Sequence, residues 1–207
     1  MENKSEKELS QDLQKYRVFL NDLAEKKDNN PRFFTNQGVE YAANSMSILF
    51  EHTKDRVRMY CNGLDPKITE KEEYSESFSK MLDKKIRLDL LVCTTKFKNG
   101  KAFKKVIDTK NDRKDDTVRV RMATPEIRNK LNKSFELEDS NFSIFDNDKF
   151  RLEIKPNVYG AFGSFDDTDT ATKLSKRFDD AFDEADDLFV LKDSTYEIKD
   201  FQISTWQ

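Results

Sequence analysis

The chain of 207 residues and 24.4 kDa has room for one generous domain with a sizeable core. Its 36% hydrophobic and 37% charged residues, with 17 Phe to supply aromatic burial, exclude a disordered composition. A net charge of -3 and a pI near 5.5 exclude a global electrostatic pull toward nucleic acid or anionic membrane, leaving only local basic patches to consider.

In chain order, Leu9, Leu13, Tyr16, Leu20 and Leu23 recur at spacings of three and four, which predicts an amphipathic helix from Ser5 to Lys27. Asn29-Asn30-Pro31 ends it, and the helix is expected to dock on the domain or on a partner. Thr35 reads as the cap of a second helix to about His52, with Val39, Ala42, Ala43, Met46, Leu49 and Phe50 inward. The pattern then changes to alternation. Strands are predicted at Arg56 to Asn62, Ile86 to Cys93 and "TVRVRMA", separated by a helix around Tyr74, Phe78, Met81 and Leu82 and a short one from Lys101 to Ile107. "TKNDRKDD" is expected to be an exposed loop. Pro125 opens a short helix from Glu126 to Asn132.

"NFSIFDNDKFRLEI" reads as a hairpin turning on the left-handed-prone pair Asn147-Asp148, and "VYGAFGSF" as a further strand whose Gly160 and Gly163 allow close backbone approach. From Asp166 to Asp187 the residues Ala171, Leu174, Phe178, Ala181, Phe182 and Ala185 mark one helix stripe, followed by a tail whose apolar residues need a home. The alternation predicts an α/β fold with a mixed, mainly parallel sheet flanked by helices and two extra N-terminal helices. The divisions are residues 1–55 as a helical extension, 56–187 as the α/β domain, and 188–207 as a tail packing on the domain or a partner.

Cys61 and Cys93 sit in apolar strand-like runs and read as buried, unbridged thiols of a reducing compartment. The polar start of the chain lacks a signal-peptide core and no apolar run reaches bilayer length, so a bacterial cytoplasmic location with no membrane partner is expected. Neither a nucleotide cofactor nor a metal is implied by any motif.

The element order, with "NFSIFDNDKFRLEI" followed by "AFGSFDDTDTATKLSKRFDDAFDEA", resembles the phospholipase D-like superfamily over about residues 56–187. In such domains a strand pair carries His-x-Lys-x-x-x-x-Asp. Matching Asp146 to that aspartate puts Asp139 where the histidine belongs and Asn141 where the lysine belongs. The family's chemistry uses an imidazole nucleophile, a second imidazole as acid, and lysines on the phosphate. The sole histidine, His52, lies outside the resemblance and reads as a group near a helix C-terminus. The resemblance therefore implies a non-catalytic binding, regulatory or assembly module, with Asn141, Asp146 and Arg151 as binding residues, acting as a homodimer or hetero-oligomer.

Two alternatives stand beside it. Asp146 or Asp139, with Glu153 and Lys155, imitates the Asp...Glu-x-Lys set of a metal-dependent nuclease or atypical phosphodiesterase, although Glu-x-Lys also starts at Glu2, Glu25 and Glu197. Arg56, Arg58, Lys84, Lys85, Arg87, Arg119, Arg121 and Arg151 suit a nucleic-acid-binding accessory, or else the outward face of edge strands.

Overall fold

The computed structural model describes residues 6–26, 31–136 and 141–199. Helix α1 (Glu6–Glu25) leads to β1 (Phe33–Asn36) and α2 (Val39–Glu51). The unit β2 (Arg56–Cys61), α3 (Pro66–Thr69), α4 (Glu72–Asp83), β3 (Arg87–Val92), α5 (Lys101–Arg113) and β4 (Val118–Met122) follows. Then come α6 (Pro125–Phe135), a meander of β5 (Asn141–Phe145), β6 (Lys149–Lys155) and β7 (Gly160–Ser164), and α7 (Thr168–Glu184). The chain closes on β8 (Asp186–Asp187) and a hairpin of β9 (Phe189–Lys192) and β10 (Thr195–Ile198).

One sheet has the order β1-β7-β6-β5-β2-β3-β4-β8. Helical crossovers return β3 beside β2 and β4 beside β3 in parallel, whereas the tight β5–β6–β7 connections force antiparallel pairing. The mixed sheet flanked by helices is as expected, but parallel pairing is confined to β2, β3 and β4. The expectation of a mainly parallel sheet holds for that half alone.

Alternation decides which helix each strand residue meets. Val57 and Met59 of β2 join Phe50, Phe78 and Phe103 in a core beneath α2, α4 and α5, while Tyr60 joins Phe142, Phe150, Phe178 and Phe182 beneath α6 and α7. Each fully buried Phe adds roughly 1.5–3 kcal/mol, so these two aromatic layers hold both faces of the sheet.

Several expectations are corrected. Thr35 lies in β1, which pairs with β7, and α2 begins after Gly38. With Phe34 and much of α2 in the core, residues 31–55 are integral to the sheet layers rather than an extension. Helix α1 packs in cis, burying Leu20 and Leu23, with Tyr16 Oη donating to Thr35 O and Arg17 paired to Glu51. The predicted loop "TKNDRKDD" is helical to Arg113, because Thr109 and Lys110 are buried and Lys110 Nζ lies 4.8 Å from the Tyr196 ring, docking the β9–β10 hairpin. The left-handed residue of the β5–β6 turn is Asp146, with φ 56°, not Asn147 or Asp148. Among the described residues no helix is long and apolar enough to cross a membrane.

Candidate binding cavity at the carboxyl end of the parallel strands

Ligands of open α/β sheets bind outside the carboxyl ends of the parallel strands. Here that end carries a cavity of ≈ 400 Å³ roofed by the β2–α3 loop and the β6–β7 connection. Asp65 caps α3 by accepting from Lys67 N, with Pro66 at the first helical position. That cap fixes the roof. Across the mouth, Tyr159 Oη donates to Asp65 Oδ2 at 3.1 Å.

The polar floor comes from neighbouring strands. Asn141 of β5 stands opposite Glu153 of β6, and Ser143 opposite Arg151, so hairpin register brings the four to one side of the sheet. Asn141 Nδ2 donates to Glu153 Oε2 at 2.9 Å, and Asn141 Oδ1 accepts from Asn62 N at 2.9 Å. Arg151 donates to Asn36 Oδ1 and Tyr159 O. Glu153 is 5% exposed and its Oε1 has no hydrogen-bond partner among the described residues; Thr69, 3% exposed and lining the same cavity, has an unpartnered Oγ1. Burial raises the Glu153 carboxyl above its ordinary pKa, outweighing the nearby Arg151 charge and the Asn141 hydrogen bond.

No family model matches the chain, and no curated protein matches it. Among solved structures it is similar to Nuc from Salmonella typhimurium, a phospholipase D family member, at 10% identity and a TM-score of 0.51, covering 76% of this chain and 98% of that one. The chain has a phospholipase D-like fold. It is also similar to TrmBL2, an archaeal chromatin protein whose structure shows a novel mode of DNA binding, at 12% identity and a TM-score of 0.53. That match covers 87% of this chain, which spans 63% of the length of the chromatin protein.

Within this phospholipase D-like fold, Asn141 and Arg151 line the cavity but Asp146 does not. Asp146 sits past the other end of β5, about 16 Å along the chain at 3.3 Å per residue, where it accepts from the backbone N–H groups of Lys54, Asp55 and Arg56 and from Lys149 Nζ. Lys155 is exposed at the end of β6. The set Asp146, Glu153 and Lys155 is therefore not assembled, and among the described residues no three His, Cys, Asp or Glu side chains form a metal-ligating group. Asp139 lies outside the described residues.

The strand arginines stand in ion pairs, although Arg58 Nη1 and Arg87 Nε have no hydrogen-bond partner among the described residues. Arg58, Asp89 and Arg119 stand abreast on β2, β3 and β4, and fully buried Asp89 takes Arg56 Nε and Arg119 Nε at 2.5 Å and Arg87 Nε at 3.3 Å. Arg56 and Arg58 also bind Asp179 of α7, and Arg121 binds Asp187. Neither an outward edge face nor a free phosphate patch describes them. They tie the sheet to α7. Lys84 and Lys85 are exposed at the turn before β3.

His52 ends α2 outside the cavity lining with its ring against Phe165, and burial lowers its pKa from the ordinary imidazole value. Cys61 and Cys93 are partly buried and not joined by a disulfide; Cys61 packs with the α2 face and Cys93 with the α7 face, its thiol donating to Tyr60 Oη. The sequence signal missed at this site was Asp65-Pro66, a cap followed by proline. Thr69 and Tyr159 carried none, since their roles depend on packing distant in sequence.

Proposed function

We propose that this chain is a non-catalytic small-molecule-binding module on a phospholipase D-like fold, whose occupied cavity governs a regulatory or assembly task with a partner protein. The observation that carries the reading is the Asn141–Glu153 pair. A neutral amide stands where the resemblance puts the motif lysine, and it presents a buried carboxylate rather than a cation to the cavity. A phosphodiester would meet Glu153 and Asp65 there, with Arg151 already engaged by Asn36 and Tyr159. No imidazole lines the cavity. Cys61, its one thiol, is pushed up to about 12 by burial and is a poor nucleophile.

The DNA-binding reading suggested by the chromatin protein gains no support from the strand arginines, because Asp89, Asp179 and Asp187 pair with them. The purified chain is expected to leave bis-p-nitrophenyl phosphate intact with or without divalent metal, and to bind small molecules saturably. Metal-stimulated turnover abolished by Glu153→Gln would reject the reading. Light scattering tests assembly: the mass of a single chain, unchanged by ligand, would remove a homodimer.

A further inference from the structure

We infer that the cavity takes a small cationic amine bearing a second hydrogen-bonding group, its ammonium seated on Glu153 Oε1. This deepens the binding reading and rests on it. Among the described residues the cavity carries two unpartnered polar atoms, Glu153 Oε1 and Thr69 Oγ1, each on a residue more than nine-tenths buried. Glu153 Oε2 is already fixed by Asn141, so the carboxylate is held in one orientation with its free oxygen left to a ligand. A buried carboxylate oxygen without a hydrogen-bond partner is costly, and a ligand ammonium donating to it removes that cost.

The sign follows from the lining. Among the described lining residues Asp65 and Glu153 oppose Arg151, whose guanidinium is turned to Asn36 and Tyr159. An anion would be repelled and a neutral molecule would leave the carboxylate uncompensated. Tyr74, Phe97 and Tyr159 also line the space, and aromatic faces attract an organic cation while covering its apolar body. A hard metal ion fits poorly, because it needs several oxygen ligands whereas both Asp65 oxygens and Asn141 Oδ1 already accept hydrogen bonds. The volume of ≈ 400 Å³ suits a molecule of metabolite size.

Three probes share a phenol and differ in charge: tyramine, its neutral alcohol tyrosol, and 4-hydroxyphenylacetate. With the full chain at mildly alkaline pH, calorimetry and thermal shift are expected to show binding by tyramine alone. Glu153→Gln should weaken tyramine by roughly ten- to hundredfold, the worth of a hydrogen bond to a charged group, and move the preference toward tyrosol. Should that variant fail to fold, Thr69→Val is expected to weaken tyramine roughly two- to tenfold. Equal response to all three probes, preference for the alcohol or the acid, or stabilisation by magnesium alone would overturn the amine assignment while leaving a binding cavity. Silence from every probe would overturn both.

Discussion

Asn141 donates its amide to Glu153 across the β5–β6 pair at 2.9 Å, leaving the second carboxylate oxygen of Glu153 buried and unpartnered. The ligand-free protein therefore carries a cost that grows with pH. The groups around the carboxyl include Asn141 on β5, Arg151 on β6, Asp65 in the β2–α3 loop, Cys61 on β2 and Tyr159 in the β6–β7 connection. Because the folded pKa is raised, the cost is absent below the unfolded value of about 4.3 and is complete only above the folded value. Glu153→Gln is thus expected to stabilise the empty protein at neutral pH by roughly 1–3 kcal/mol, and to do so less in acid. Urea melts at two pH values decide it; a variant less stable than the parent at neutral pH contradicts the electrostatic account.

Asp146 gives the opposite sign. Burial would raise its carboxyl, but the backbone N–H groups of Asp55 and Arg56 and the Lys149 ammonium outweigh burial and hold it below the ordinary range. Its stabilisation is complete above the unfolded value, about 3.9, and is lost as pH falls through the lower folded value. Asp146→Asn should destabilise the protein at neutral pH by roughly 1–3 kcal/mol and leave tyramine affinity unchanged. Loss of tyramine binding in a folded Asp146→Asn protein would return Asp146 to the cavity.

How much of this was legible in the sequence depends on the range of the interaction. The alternation in "RVRMYC" and the stripe of Leu174, Phe178 and Phe182 are local periods, and they form β2 and α7 as expected. The arginines of "TVRVRMA" alternate with apolar residues just as an exposed strand face would. Here that second face is covered by α7, whose Asp179 receives Arg56 and Arg58, and by Asp187, which receives Arg121. A covering helix some sixty or more residues away leaves no trace in the strand itself. For the same reason Glu153 was visible as a strand residue, while its partner depended on register set by the Asp146 turn.

The arginine cluster has a direct consequence for stability. Asp89→Asn would leave Arg56, Arg87 and Arg119 sharing no buried anion, and breaking such a set costs about 3–5 kcal/mol. Since Asp89 is held below its usual carboxylate range, with the arginines outweighing burial, the loss should shrink as the medium becomes strongly acidic. Chemical denaturation of the variant reads the difference. A change under 1 kcal/mol (roughly a surface-pair value) would mean that the arginines do not depend on this carboxylate.

Gly163 should tolerate no side chain. A Cβ there would stand 2.4 Å from Phe150 O and 2.6 Å from Phe34 Cζ, because the Phe34 ring of β1 lies against the β7 backbone. Gly163→Ala must shift β7 away from the Phe150 carbonyl of β6 and also displace Phe34 or β1 at the sheet edge, at roughly 1–3 kcal/mol or more. Hydrogen exchange is expected to show faster opening of residues 33–36 in particular; protection equal to that of the parent protein would refute the close approach.

Cys61 supplies an internal reporter of the cavity. It lines the same space as Glu153, whereas Cys93 packs on the α7 side of the sheet. Burial pushes the Cys61 thiol up to about 12, so little thiolate exists at neutral pH and native-state reaction with Ellman's reagent should be slow. Tyramine seated on Glu153 would block the approach to Cys61 and slow its reaction further, leaving the rate at Cys93 unchanged. A Cys93→Ser protein isolates the first rate and a Cys61→Ser protein the second. If the ligand slows both thiols alike, the effect is global stabilisation rather than occupancy of the cavity; if it slows neither while still binding, the amine sits elsewhere and the assignment to Glu153 fails.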